Sequence, residues 1–160
     1  MEGLHPSGRT RLDAGFVVDV PPDVALERFT PEGERDWVPG WHPEYPGGRP
    51  EEPVPGTVFV TRSASTRTTW VVVEREPDRM RYARVAEGRT AGTVTVVCAP
   101  ATRTTTDVRV VYDLTALSPE GRRDVADLAA DYPAHLEGWR QAIEAAGTAG
   151  RAGVGASGRA

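Results

Sequence analysis

The chain has 160 residues, 39% of them hydrophobic and 26% charged, with a net charge of −4. That length suits one domain with a hydrophobic core of its own, and the interleaved charges argue against a nucleic-acid-binding stripe or an anionic-membrane surface. All 19 basic residues are Arg, so no lysine is available as a Schiff-base former or general base.

Residues 1–9 read as a flexible, polar lead-in without a hydrophobic signal core. Arg11 to Val20 reads as a first strand stopped by Pro21-Pro22. Pro22 suits the first turn of a short helix over Asp23 to Phe29, where its missing N–H costs nothing. Thr30 is a candidate N-cap for a second short helical segment ending near Trp37, with Gly33 where a capping box would carry Glu. From Val38 to Gly56 the chain is dense in Pro and Gly but carries Trp41, His42 and Tyr45. That pattern predicts an ordered functional loop rather than a linker.

Strand signals then come in quick succession: Thr57–Arg62, Thr66–Glu76, Met80–Ala86, Thr90–Ala99 and Thr104–Leu117. The short, turn-like breaks between them predict an antiparallel meander. Alternation in Thr93-Val94-Thr95-Val96 and Asp107-Val108-Arg109-Val110 buries one face of each strand. Ser118-Pro119-Glu120 opens the last element with an N-cap, a proline at the first position and an acidic first turn. Val125, Leu128, Ala129, Tyr132, Leu136, Trp139 and Ile143 recur at helical spacing to about Ala146, with Gly147 as the stop. Pro133 should kink this helix near Ala129 to Pro133. Residues 147–160, rich in Gly, Ala, Ser and Arg, read as a disordered tail. The domain therefore covers about residues 10–146.

Cys98 is the single cysteine, which excludes an internal disulfide and a Cys₄ zinc site and fits a reducing cytoplasm. No apolar run approaches the roughly 20 residues that an integral membrane helix needs. The sequence carries no phosphate loop, dinucleotide fingerprint or nucleophile elbow, so no cofactor is implied. His42, His135 and Glu137 do not make a metal spacing, and His5 lies in the lead-in, so no metal site is expected.

The run Trp37 to Tyr45 is the most concentrated feature, since aromatics with polar tips on a proline-stiffened loop suit the mouth of a pocket. Trp37 reads as core; for Trp41, a pocket wall and a plug of the core both stand open. His42 and Glu44 are the candidate acid/base pair if the pocket is catalytic, against a reading of His42 as an ordinary surface histidine. His135 is either a half-exposed boundary residue or a polar group looking into a cavity from the helix. Phe59, Trp70, Tyr82 and Tyr112 lie on strands, and Tyr112 shares the buried face of Val108 and Val110. Tyr82 shares a face with Met80 and Arg84. A buried Arg84 would need a carboxylate partner or an anionic ligand, and a twisted, exposed edge is the reading the pattern favours. With Tyr132 and Trp139 on the helix, these residues complete the candidate ligand-binding set. Cys98 reads as a buried, inert thiol.

One stretch of wording is familiar: Phe29-Thr30-Pro31-Glu32-Gly33-Glu34-Arg35-Asp36-Trp37-Val38-Pro39-Gly40-Trp41, then Pro55-Gly56-Thr57-Val58-Phe59, Thr69-Trp70-Val71-Val72 and a closing Trp139. With the element order, it resembles bacterial members of the START-related superfamily, also called SRPBCC. That superfamily includes polyketide cyclases and dehydrases, birch-pollen-type allergens and lipid-transfer domains. The resemblance implies an α+β helix-grip fold, in which a curved antiparallel sheet of about six strands wraps a long C-terminal helix. It further implies a small hydrophobic partner held between sheet and helix, as in a carrier, sensor or sequestering protein. A cyclase/aromatase-like enzyme and a protein-partner module like the chaperone-activating relatives are the alternatives. No universal catalytic motif exists in that superfamily to carry over.

Overall fold

In a computed structural model the chain is described from residue 8 to residue 157, with side chains to residue 147. Residues 1–7 of the expected lead-in and residues 158–160 of the expected tail lie outside the described residues. The strands are β1 (Arg9–Val18), β2 (Val58–Ser63), β3 (Thr66–Glu76), β4 (Arg79–Ala86), β5 (Thr90–Pro100) and β6 (Thr106–Ala116). They form one six-stranded antiparallel sheet in the order β1-β6-β5-β4-β3-β2. The meander from β2 to β6 follows from the short turns, and β1 closes beside β6, giving the expected α+β helix-grip architecture. β1 ends two residues earlier than expected because the Val20 N–H turns back to the Val18 carbonyl at 2.9 Å.

After β1 come α1 (Pro22–Ala25) and two 3₁₀ turns, Leu26–Phe29 and Gly33–Asp36. Thr30 organises the second turn: its hydroxyl accepts from the Gly33 N–H at 3.0 Å and donates to the Glu27 carbonyl at 2.8 Å. The C-terminal part is two helices, α2 (Pro119–Ala130) and α3 (Tyr132–Ser157). Ser118 caps α2 by accepting from the Gly121 N–H at 3.0 Å. The break falls at Asp131, whose ψ of 40° is not helical. Pro133 thus sits in the first turn of a new helix rather than inside a kinked one, where its missing N–H leaves no gap. Gly147 does not terminate α3, which runs on to Ser157.

Cross-strand register sorts the inward residues into rows. One runs Phe59, Trp70, Arg84, Gly92, Leu114, Thr10; the next runs Val72, Tyr82, Val94, Tyr112, Leu12. Deeper along the strands, Met80, Val96 and Val110 continue the same face. α3 packs along β1, while α2 lies over β5 and β6. Phe29, Trp37, Tyr132, Leu136 and Ile143 pack against the inner sheet face and form one core with it. Full burial of a side chain the size of Phe29 or Phe59 contributes about 1.5–3 kcal/mol. The core fills the β1/α3 side, and the opposite side of the inner face stays open.

Candidate functional site: an aromatic-walled cavity

The open side of the sheet is a cavity of about 820 Å³. Its floor is the inner face of β2 to β6, and α2, α3 and residues 38–41 close over it. Its walls are indoles and phenyl rings locked by their own contacts. Phe59 and Trp70 stack with ring centres 5.7 Å apart and planes within 2°. Trp41 meets Trp70 edge-on at 5.7 Å, and Tyr82 meets both Phe59 and Trp70. Each wall indole on this side has its N–H satisfied within the protein: Trp41 donates to the Pro31 carbonyl at 2.7 Å, and Trp70 donates to Thr61 Oγ1 at 2.9 Å. Neither indole N–H is therefore left unpaired toward the cavity. Tyr82 is buried and donates to the Phe29 carbonyl at 2.5 Å.

Of the residues singled out in the sequence, Trp41, Phe59, Trp70, Tyr82, Tyr112, His135 and Trp139 line this cavity. Trp37, Tyr45 and Tyr132 do not. Trp37 is core, donating to the Arg28 carbonyl at 2.7 Å and packing edge-on against Phe29 and Trp139. Tyr45 is turned to Glu32 Oε2 at 2.6 Å, and Tyr132 donates to the Val110 carbonyl at 2.7 Å. His42 and Glu44 are both exposed and outside the cavity. Glu44 is held as a backbone bridge to Val60, its carboxylate 3.5 Å from Arg62. Of the two readings of His42, the exposed position fits the surface histidine, and alternation around the Glu44 bridge sends Tyr45 against Phe59 and leaves Glu44 in solvent. The lining also takes in Val38 to Trp41, Ser63 and Ala64 at the β2–β3 turn, and Leu128 and His135 on α2 and α3.

A correction concerns Arg84. β4 lies between β3 and β5 and has no free edge, so the face of Met80 and Tyr82 is inward and Arg84 lines the cavity with them. Its cross-strand neighbours are Trp70 and Gly92. Trp70 gives it an aromatic face, with the guanidinium carbon 5.1 Å from the ring centre; Gly92 puts no side chain in its way. Burial lowers the Arg84 pKa below its ordinary value, a shift that the charges of Tyr112 and Asp124 oppose.

Glu34, like Arg62, Arg89 and Asp124, lines the cavity without having been singled out in the sequence. It sits in the second 3₁₀ turn with no ion pair among the described residues, and burial raises its carboxyl pKa well above the ordinary range. A signal for it exists: three residues per 3₁₀ turn put Glu34 on the same edge as the buried Trp37. Burial likewise pushes the Tyr112 hydroxyl up to about 12 and lowers the His135 pKa from its usual value. His135 also packs against Trp139 with ring centres 5.6 Å apart. Among the described residues no group of His, Cys, Asp and Glu is arranged to hold a metal ion, and no helix is long and apolar enough to cross a membrane.

No protein-family model and no curated protein matches the sequence. Solved structures do match. A START superfamily protein from Mycobacterium smegmatis aligns over 84% of this chain and 94% of its own, with 14% identity and a TM-score of 0.65. Norcoclaurine synthase from Thalictrum flavum, solved in complex with dopamine and hydroxybenzaldehyde, aligns over 85% and 84%, with 14% identity and a TM-score of 0.57. CalU16 from Micromonospora echinospora aligns over 71% and 65%, with 17% identity and a TM-score of 0.53. The chain has the helix-grip fold of the START-related superfamily that its sequence resembles.

Proposed function

We propose that this protein binds a small hydrophobic or aromatic molecule in the cavity between sheet and helices, as a carrier, sensor or sequestering protein. The observation that carries the reading is the cavity itself. Its 820 Å³ lies within the range of about 300–1,000 Å³ usual for small-molecule sites, and its walls are immobilised aromatic faces. The core aromatics Trp37 and Phe29 pack beside it and leave it open, which counts against a purely protein-partner role. The norcoclaurine synthase structure, in complex with dopamine and hydroxybenzaldehyde, is consistent with aromatic ligands on this architecture. A panel of aromatic and long-chain compounds, followed by melting temperature, tests the reading. At a hundredfold excess over Kd, a true ligand stabilises the fold by about 2.7 kcal/mol. Leu128→Trp, which puts a larger ring into the cavity lining, should weaken that response. If no compound in a broad panel raises the melting temperature, the reading fails.

The enzymatic alternative of the cyclase/aromatase type loses His42 and Glu44 as pocket groups. Its remaining support is Glu34, a carboxyl that keeps its proton to unusually high pH while facing the ligand space, as a general acid does. Under that reading Glu34→Gln binds the same ligand and loses its turnover; equal turnover by both proteins excludes it.

A further inference from the structure

The charged residues of the cavity wall are Glu34, Arg62, Arg84, Arg89 and Asp124, with His135 as the remaining titratable base. Most are matched. Arg89 holds Asp124 in a bidentate pair, with Nε to Oδ2 at 2.5 Å and Nη2 to Oδ1 at 2.8 Å. Arg62 faces Glu44 at 3.5 Å. Glu34 and His135 are both shifted by burial toward their uncharged forms. Arg84 is what remains. Among the described residues no carboxylate forms an ion pair with it; Asp124, which acts on it at a distance, is committed to Arg89. A guanidinium has five N–H donors. Arg84 Nε is sealed from solvent without a partner, and Nη1 has only a long contact, 3.5 Å, to Thr90 Oγ1.

A half-buried guanidinium whose Nε is sealed from solvent without a partner is costly to the empty protein. Stacking on Trp70 satisfies the ring face of the cation but none of its in-plane donors. A planar acid group presented from the cavity satisfies them and neutralises the charge together. We infer that the molecule held in this cavity is an organic acid, a hydrophobic or aromatic body bearing one carboxylate, and that Arg84 receives the carboxylate. The single unmatched charge favours a monoanion over a phosphate dianion. The body then lies against Trp70, Trp41 and Trp139. This inference rests on the ligand-binding reading above and specifies the class of ligand.

Matched probes test it: 2-naphthoate against 2-naphthamide, and dodecanoate against dodecanamide, titrated calorimetrically into the full chain. A charge-assisted bond in a buried site predicts that at least one acid binds about tenfold or more tighter than its amide. Arg84→Gln should lower acid affinity to the level of the matched amide and so abolish that preference. Equal affinity of acid and amide for the unaltered protein overturns the inference, as does a preference that survives in Arg84→Gln. The comparison on the unaltered protein needs no variant, so it decides even where Arg84→Gln does not fold. Amides that bind as well as or better than acids leave the cavity a ligand site and remove only the anion. If neither acids nor amides bind, the inference falls together with the reading beneath it.

Discussion

Arg84 lies over the indole of Trp70, its guanidinium carbon 5.1 Å from the ring centre, and no carboxylate pairs with it among the described residues. The two are cross-strand partners on β4 and β3, so the sheet register itself delivers a cation onto an aromatic wall. A structural arginine would be expected to end on a carboxylate, as Arg89 and Arg9 do.

The empty protein should therefore gain nothing from this charge. Arg84→Met keeps the alkyl stem and removes the buried donors. Removing a half-buried charge that lacks an ion-pair partner, and whose sealed Nε has no acceptor, relieves a desolvation cost of about 1–3 kcal/mol. Urea denaturation of the ligand-free variant should show stability unchanged or raised. A loss of more than about 1 kcal/mol, the scale of an ordinary net hydrogen bond, would mark Arg84 as a structural residue.

Glu34 makes stability depend on pH in a stated direction. Its folded pKa is raised above the ordinary 4.5 by burial. Below 4.5 the carboxyl is protonated in both states and costs nothing. As pH rises from 4.5 toward the folded value, the unfolded chain ionises first and stability declines. Glu34→Gln removes this slope, so the variant should be more stable than the parent at neutral pH and close to it at acid pH. Parallel pH–stability curves for the two proteins contradict this.

Gly121 fixes how closely α2 approaches the sheet. A methyl group there would sit 1.7 Å from the Arg89 carbonyl oxygen, which already accepts the Leu117 N–H at 2.7 Å. Neither backbone segment can yield easily. Gly121→Ala should cost about 1–3 kcal/mol, as overpacking does, and should disturb the Arg89–Asp124 pair at the cavity wall. A chemical-denaturation midpoint equal to that of the parent would show that α2 shifts freely.

Cys98 is buried, and burial raises its pKa to about 12. Since the thiolate is the reactive form, the native protein should resist alkylation by iodoacetamide at pH 8 and react fully once unfolded in guanidinium chloride. Rapid labelling of the native protein would mean that the end of β5 opens readily.

The strands were legible because period-two alternation and turn residues both mark them, and the register then follows from the short connections. The cap at Ser118 and the hydroxyl of Thr30 were legible for the same local reason. The polar contents of the cavity were not. His42 and Glu44 drew attention as a pair of types, but one bridge from Glu44 to Val60 fixes which side chains turn outward. Glu34 depends on the three-residue turn that makes it a neighbour of Trp37. Alternation assigns Arg84 to its face, but its cover comes from β4 lying inside the sheet, which is a property of the whole sheet and not of the strand.

Native mass spectrometry of the protein purified from its own host, with chemical identification of any bound species, tests the central claim most directly. The expected result is one equivalent of a small hydrophobic acid, lost on denaturation and absent from Arg84→Gln. Recovery of the bare chain alone, with no response to added naphthoate, dodecanoate or their amides, would contradict it.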